Sequence, residues 1–417
     1  MRILWIVNTI FPYPSQKLGL KANVFGGWLN SLFEDLIKNE NITLGIATVY
    51  NGKKLLTFVD GKVEYYLIPC KNKCKLHKKD LKFWKQVNEQ FKPDLAHLHG
   101  TEFPFGLSFL NLCPGVKTLV SIQGLISLIS MVYLSNISNK DIIKNITFRD
   151  IIKLDSIYQA KKKFYKRGIY EKKLLKKCDY IIGRTTWDYA NTYIMVGYDK
   201  YFKCNESLRS EFYKKTWDID KVEKHSIFIS QASYPIKGFH IVLDAINILK
   251  RDYHDIKVYV AGINIISDDS FKNKLKINGY AKYILSKIKK YNLFENIFFT
   301  GILNEKEMVD RMLKTNVFVQ ASSIENSPNS LGEAMLMAMP CVASNVGGTS
   351  DMLKDKEEGF LYPFAESSML AYYIKQVFDN DDLAIEIGKN AQKHAMITHD
   401  RKVNTNDMVK IYETVVK

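Results

Sequence analysis

The chain has 417 residues, 46% of them hydrophobic, which is long for one core and too apolar for global disorder. No run of 18 or more apolar residues occurs, so no transmembrane helix is predicted. The formal net charge of +16 is confined to the first half: residues 1–210 hold 33 Lys and Arg against 17 Asp and Glu, and residues 211–417 hold 27 of each. Such asymmetry points to a surface that meets an anion, whether membrane lipid, nucleic acid or a phosphorylated substrate.

The N-terminal MRILWIVN has too short an apolar run and no small-residue cleavage pattern for a secretory signal, and it reads as a first buried strand, Arg2–Val7. A loop with Pro12 and Pro14 leads to Gly26-Gly27-Trp28 and a helix with Trp28, Leu29, Leu32 and Leu36 at apolar spacing. Strand, Gly-rich loop, helix is a plan that brings backbone close to a phosphate, although two adjacent glycines also make an ordinary tight turn. Thr43–Thr48, Val63–Ile68, Asp94–His99 and Lys117–Ile122 read as further strands, and their alternation with helical patterns predicts a parallel α/β sheet. His99 ends one of these strands, where it either faces a ligand or fills the core. Leu125–Leu134 is apolar without alternation, fitting a buried helix or part of an apolar acceptor groove.

Lys153–Lys177 is the densest charge run, with ten Lys or Arg against two acids and Ile157, Tyr158, Phe164, Tyr165, Ile169, Leu174 and Leu175 interleaved. A basic amphipathic helix of this kind suits an anionic membrane surface; the plain alternative is a solvated face. No recognition module accompanies the charge, so nucleic acid is not expected. Ile181-Ile182-Gly183-Arg184 is a strand turning into a helix, with Arg184 placed either to bind phosphate or to anchor Asp188. Cys204-Asn205-Glu206 reads as a short helix start, and the polar Thr216–His225 reads as an interdomain linker. The six cysteines are scattered, as for reduced thiols in the cytoplasm; Cys70, Cys74 and His77 lack a fourth ligand, so no metal site is expected.

In the second half, strand Ser226–Ser230 is followed by Gln231 and by Pro235-Ile236-Lys237-Gly238 at a helix start, where a Lys beside Gly is well placed for a diphosphate. Strands Lys257–Ala261 and Asn296–Thr300 each end in Gly. The most informative stretch is Ser322–Asp351. Glu325 lies in a strand-to-helix loop, Glu333 in the first turn of a helix, and Gly347-Gly348 in a turn beyond. A carboxylate accepts two hydroxyls at once, the contact a sugar or ribose offers. Asn329 and Ser330 add short polar groups, and Gly332 allows close approach to the backbone beside Leu331. The plain alternative is a capping box between Ser330 and Glu333, which accounts for neither Glu325 nor the Gly-Gly turn.

Glu325, seven residues, Glu333, Ala334-Met335 and then Gly347-Gly348-x-x-Asp351 resemble the C-terminal signature of family 4 retaining glycosyltransferases (glycosyl transferases group 1). The resemblance implies a GT-B fold: two Rossmann-like domains facing across a cleft, an N-terminal domain 1–213, a linker 214–225, a donor domain 226–399 and a C-terminal helix 400–417 crossing back. It implies transfer of a sugar from a nucleotide donor, a UDP- or GDP-sugar, to a glycan or lipid-linked acceptor; the basic first half suggests that the acceptor is lipid-linked or membrane-presented, as in cell-surface polysaccharide assembly at the cytoplasmic face of a membrane. By resemblance the candidate catalytic residues are Glu325, Lys237 and His99. The donor would be held by Glu333, Gly26, Gly27, Gln231, Leu331, Gly332, Ser330, Asn329, Gln123 and Arg184, with no metal and no cofactor. Glu333 would take the ribose hydroxyls, Glu325 the sugar, and Lys237 with Gly26-Gly27 opposite the departing diphosphate. Many members have His where this chain has Gln123, and Arg where it has Gln231; ENSPNSLGE also departs from the commoner Glu-Gly-Phe-Gly form. Two other activities fit a sugar-nucleotide site: a nucleotide-sugar epimerase of similar fold, which needs no acceptor, and a non-catalytic partner subunit, made inert by the two glutamines.

Overall fold

A computed structural model describes residues 1–20, 26–76, 81–197, 200–265 and 277–417. The chain divides into two compact units. The first comprises Met1–Leu128, Phe164–Leu208 and His399–Lys417, the second Ile129–Lys163 and Arg209–Thr398.

The first unit is built on an eight-stranded sheet of β1 (Arg2–Ile6), β2 (Thr43–Tyr50), β3 (Leu56–Asp60), β4 (Val63–Pro69), β5 (Leu95–His99), β6 (Lys117–Ser121), β7 (Tyr180–Gly183) and β8 (Tyr201–Lys203). Its order is β3-β4-β2-β1-β5-β6-β7-β8, parallel except for the antiparallel edge β3. After Arg2, β1 and the following Val7 are apolar because both sheet faces are covered: Leu4 and Ile6 join one core, while Ile3, Trp5 and Val7 join the other. The helix Arg401–Val416 closes the second of these cores with Met408, Ile411, Tyr412 and Val415.

The second unit carries a six-stranded, wholly parallel sheet of β9 (Glu223–Ile229), β10 (Lys257–Ala261), β11 (Ile297–Gly301), β12 (Thr315–Gln320), β13 (Cys341–Ser344) and β14 (Phe360–Tyr362). Its order is β11-β10-β9-β12-β13-β14. Both units are thus the parallel, Rossmann-like α/β sheets that the alternating strands predicted.

Several local expectations need correction. Thr216–His225 is not a free linker: Trp217 is buried, its backbone N–H bonds Met337 O (2.7 Å), its indole bonds Thr315 O (2.8 Å), and β9 already begins at Glu223. A buried indole outweighs the polar residues around it. Cys204–Glu206 has no helix. Residues 129–163 and 209–213, expected in the first domain, group with the second unit. The basic run is one helix only from Ile157 to Lys177, and Lys153 ends a separate helix, Phe148–Lys153. Of Leu125–Leu134, expected either buried in a helix or lining a groove, Leu125 and Ile126 are buried and Met131 and Val132 exposed. The helix expected from Leu331 begins at Asn329 and stops at Leu336, before Pro340, with Ala338 in the left-handed region (φ 58°). His77 and residues 21–25 of the first Gly-rich loop lie outside the described residues.

Candidate functional site

In an open parallel sheet, ligands gather beyond the carboxyl ends of the strands where the strand order reverses. In the second unit that point lies between β9 and β12. The loop after β9 carries Gln231 and Lys237, and the loop after β12 carries Glu325. Lys237 ends a 3₁₀ turn, Pro235–Lys237, capped by Gly238 at φ 68°. A Cβ on Gly238 would stand 1.6 Å from the Ala321 carbonyl, so the turn sits directly on the end of β12. Lys237 Nζ then donates to Glu325 Oε1 at 2.5 Å, and Ser322 Oγ donates to the same oxygen at 2.6 Å. A third loop fixes the backbone: Gly348 N–H donates to Glu325 O (3.1 Å), and a Cβ on Gly347 (φ +57°) would come within 1.7 Å of that oxygen. Burial acts to lower the Lys237 pKa, but the Glu325 carboxylate outweighs it and holds the ammonium above its ordinary value.

Glu333 is buried on the helix Asn329–Leu336 and receives both arms of one guanidinium, Arg209 Nε at 2.6 Å and Nη2 at 2.7 Å. Burial pushes the Glu333 carboxyl above its ordinary range, and the Arg209 bonds oppose that rise. The alternative capping box does not form, since the helix N-cap is Pro328 with no side-chain cap bond. Ser330 instead accepts from Ser230 Oγ at 3.1 Å. Asn329 Oδ1 is buried with no partner among the described residues, while Leu331 and Gly332 are buried in the same helix. Gln231 accepts from Tyr234 Oη (3.2 Å) and donates to Ser233 Oγ (3.4 Å).

The first unit has its own reversal between β1 and β5. Gly26, at φ 83°, precedes the helix Gly27–Leu36 on the β1 side, and His99 ends β5. His99 is buried against the Trp5 ring (4.5 Å between centroids), and among the described residues neither ring nitrogen finds a hydrogen bond. Burial, then the neighbouring His97, hold its pKa well below the ordinary value, so the ring is neutral. His99, Trp28, Ser121, Arg184 and Glu206 line one pocket. Arg184 is committed within it: its backbone N–H bonds Asp188 (2.8 Å), and its guanidinium bonds the Ile122 carbonyl and the Glu206 carboxylate. Gln123 Nε2 also donates to Glu206, at 2.7 Å.

The second unit therefore gathers Lys237, Glu325, Gln231, Ser330 and Glu333, and the first gathers His99, Gln123 and Arg184 around Glu206. Sequence reasoning missed Arg209, because nothing local marks a residue whose partner is 124 positions away. Ser322 was open to recognition as a hydroxyl three residues before an acid. Among the described residues no group of three His, Cys, Asp or Glu could hold a metal ion, and no helix is long and apolar enough to cross a membrane.

Residues 209–394 match the family of glycosyl transferases group 1. Over 142 residues the chain is 29% identical to poly(ribitol-phosphate) alpha-N-acetylglucosaminyltransferase of Staphylococcus aureus, covering 34% of this chain and 28% of that protein. The curated relatives it matches are spanned over 28% to 49% of their length. Among solved structures, sucrose-phosphate synthase from Thermosynechococcus elongatus superposes with a TM-score of 0.74 at 15% identity, covering 100% of this chain and 99% of that one. HepE from Anabaena, in complex with UDP and glucose, superposes with a TM-score of 0.67 at 14% identity, covering 99% of each chain. At such identities the likeness establishes the fold, which is GT-B.

Proposed function

We propose, from the match of residues 209–394 to the glycosyl transferases group 1 family, that this protein is a retaining glycosyltransferase. It moves a sugar from a nucleotide donor to a glycan or lipid-linked acceptor in cell-surface polysaccharide assembly. The observation that carries the reading is that the chain following β12 carries two carboxylates each paired with a cation: Glu325 with Lys237, and Glu333 with Arg209. In this reading Glu333 takes the ribose hydroxyls and Glu325 orients the sugar. Lys237 exchanges Glu325 for the diphosphate and stabilises the charge that develops as it leaves, a contribution of about 10²–10³ in rate for one such donor. The acceptor attacks from the face the nucleotide leaves and the departing phosphate takes its proton, so the chain supplies no nucleophile. No cofactor or metal is assigned a role, and turnover in EDTA should equal turnover in Mg²⁺.

The relative's poly(ribitol-phosphate) acceptor is polyanionic by name. An anionic or membrane-presented acceptor fits the basic first half and the exposed lysines of the helix Ile157–Lys177, and we place the protein at the cytoplasmic face on that ground. The test is a screen of sugar nucleotides with and without cell lipid or glycan extract, reading released nucleotide and the anomeric configuration of the product. Acceptor-dependent release with retained configuration is the expected outcome. Release from donor alone, with an epimerised sugar, would replace the reading by an epimerase. Nucleotide-induced stabilisation without turnover, despite extract, would replace it by the non-catalytic partner subunit.

A further inference from the structure

Residues 139–154 of the second unit form two short helices, Asn139–Lys144 and Phe148–Lys153. The second is built with its polarity reversed. Its buried residue is Asp150, at 1% exposure, whereas Phe148, Ile151 and Ile152 are 65%, 63% and 64% exposed. Positions 148, 151 and 152 share one helix face, so the apolar stripe that normally turns to a core turns to solvent. Ile143 (62%) and Leu154 (61%) flank it, and Leu154 holds a left-handed conformation, φ 50°, that is uncommon for a bulky residue.

The arrangement is held firmly from beneath. Thr147 and Asp150 form a reciprocal capping box. Asp150 and the Asn145 carbonyl rest on Gly279, where an added Cβ would stand 2.7 Å from Asp150 Oδ2 and 3.1 Å from Asn145 O. Gly279 begins the helix Gly279–Lys290, whose Lys282 bonds the Lys144 carbonyl at 3.3 Å. The apolar face is therefore presented by a seated element. Lys140, Lys144 and Lys153 are exposed around it, while the acids of the segment turn inward or are half-covered: Asp150 is buried and Asp141 is held by Ser138.

We propose that Ile143–Leu154 is the element that enters a lipid bilayer, with Phe148, Ile151, Ile152 and Leu154 among the acyl chains and Lys140, Lys144 and Lys153 at anionic headgroups. This rests on the reading of a membrane-presented acceptor and moves the contact from the basic helix to the apolar segment before it. Charge complementarity selects the partner. A second copy would set this lysine-ringed surface against lysines of its own, whereas an anionic bilayer supplies both the apolar interior and the countercharge.

The test is flotation of the full chain with phosphatidylcholine vesicles, with and without phosphatidylglycerol. Binding to the anionic vesicles is expected. Phe148→Ser/Ile151→Ser/Ile152→Ser should reduce it by about 100-fold, with the melting temperature retained because these side chains are exposed. Lys140→Gln, Lys144→Gln and Lys153→Gln should each reduce it about fivefold. Brominated acyl chains should quench the added fluorescence of Phe148→Trp. If the wild type binds and the triple variant binds equally, insertion is overturned while the membrane reading stands. If the wild type binds no vesicle, both are overturned. If the triple variant converts a dimer to a monomer without changing vesicle binding, the occupant is a second copy and the proposal is overturned.

Discussion

At the scale of single residues, the two ion pairs of the second unit make different predictions. Lys237 Nζ faces Glu325 in a half-buried setting, so Lys237→Met should lower kcat by about 10²–10³ in a transfer assay while the fold persists. Lys237→Arg should not restore the rate, because a planar fork does not replace a compact ammonium on a turn this close to Ala321. Arg209 and Glu333 are more deeply buried. Arg209→Met should cost about 3–5 kcal/mol in urea denaturation by leaving a carboxylate unpaired. Arg209→Met combined with Glu333→Leu should recover most of that stability yet abolish nucleotide-induced stabilisation. If the double variant still responds to nucleotide, Glu333 does not hold the ribose.

At the scale of elements, the C-terminal helix Arg401–Val416 is joined to the first unit's sheet by one buried hydrogen-bonded chain. Trp5 Nε1–H donates to Tyr412 Oη at 2.9 Å, and Tyr412 Oη meets His97 Nδ1 at 2.7 Å. The other His97 nitrogen, Nε2, meets Ser121 Oγ at 2.7 Å, so the neutral imidazole donates through one nitrogen and accepts through the other. Tyr412→Phe removes one oxygen and strands two buried groups. The expected loss is about 2–4 kcal/mol, read from urea denaturation. A loss under about 0.5 kcal/mol would mean that the apolar contacts of Met408, Ile411 and Val415 hold the helix without this chain.

At the scale of the whole molecule, both units bury neutral histidines. Burial lowers His97 to about 3 and His240 to about 4, and it drives His99 well below its ordinary value. The sign follows from proton uptake. Below the ordinary histidine pKa of about 6.5 the unfolded chain binds protons that the native state refuses, so stability present at neutral pH is lost as pH falls. Between pH 7 and pH 5 His97 and His240 should each remove about 2 kcal/mol, measurable as a shift in urea midpoint. Burial raises the Glu102, Glu171 and Glu333 carboxyls and so opposes part of that loss; a midpoint shift left unchanged by His240→Gln would show that this ring accepts protons in the folded state.

The sequence by itself determined the sheet class, most strands and the Glu325–Glu333 stretch, because each depends on neighbours within a few residues. An unbroken apolar run after Arg2 makes β1 a strand buried on both faces, and Gly347 marks a backbone turn (φ 57°). Gln231 and Lys237 stood out for the same reason, lying in the loop after β9, and Gly26 stood out as a glycine directly before a helix. Only the tertiary structure decided what those residues touch. Arg209 became the partner of Glu333 across 124 positions, Arg184 was taken up by Glu206, and Trp217 turned an expected linker into packed chain. The helix Phe148–Lys153 is the clearest case. Its spacing predicts an apolar face, but that Asp150 rather than Phe148 is buried was settled by a glycine at position 279, where no side chain stands in the way.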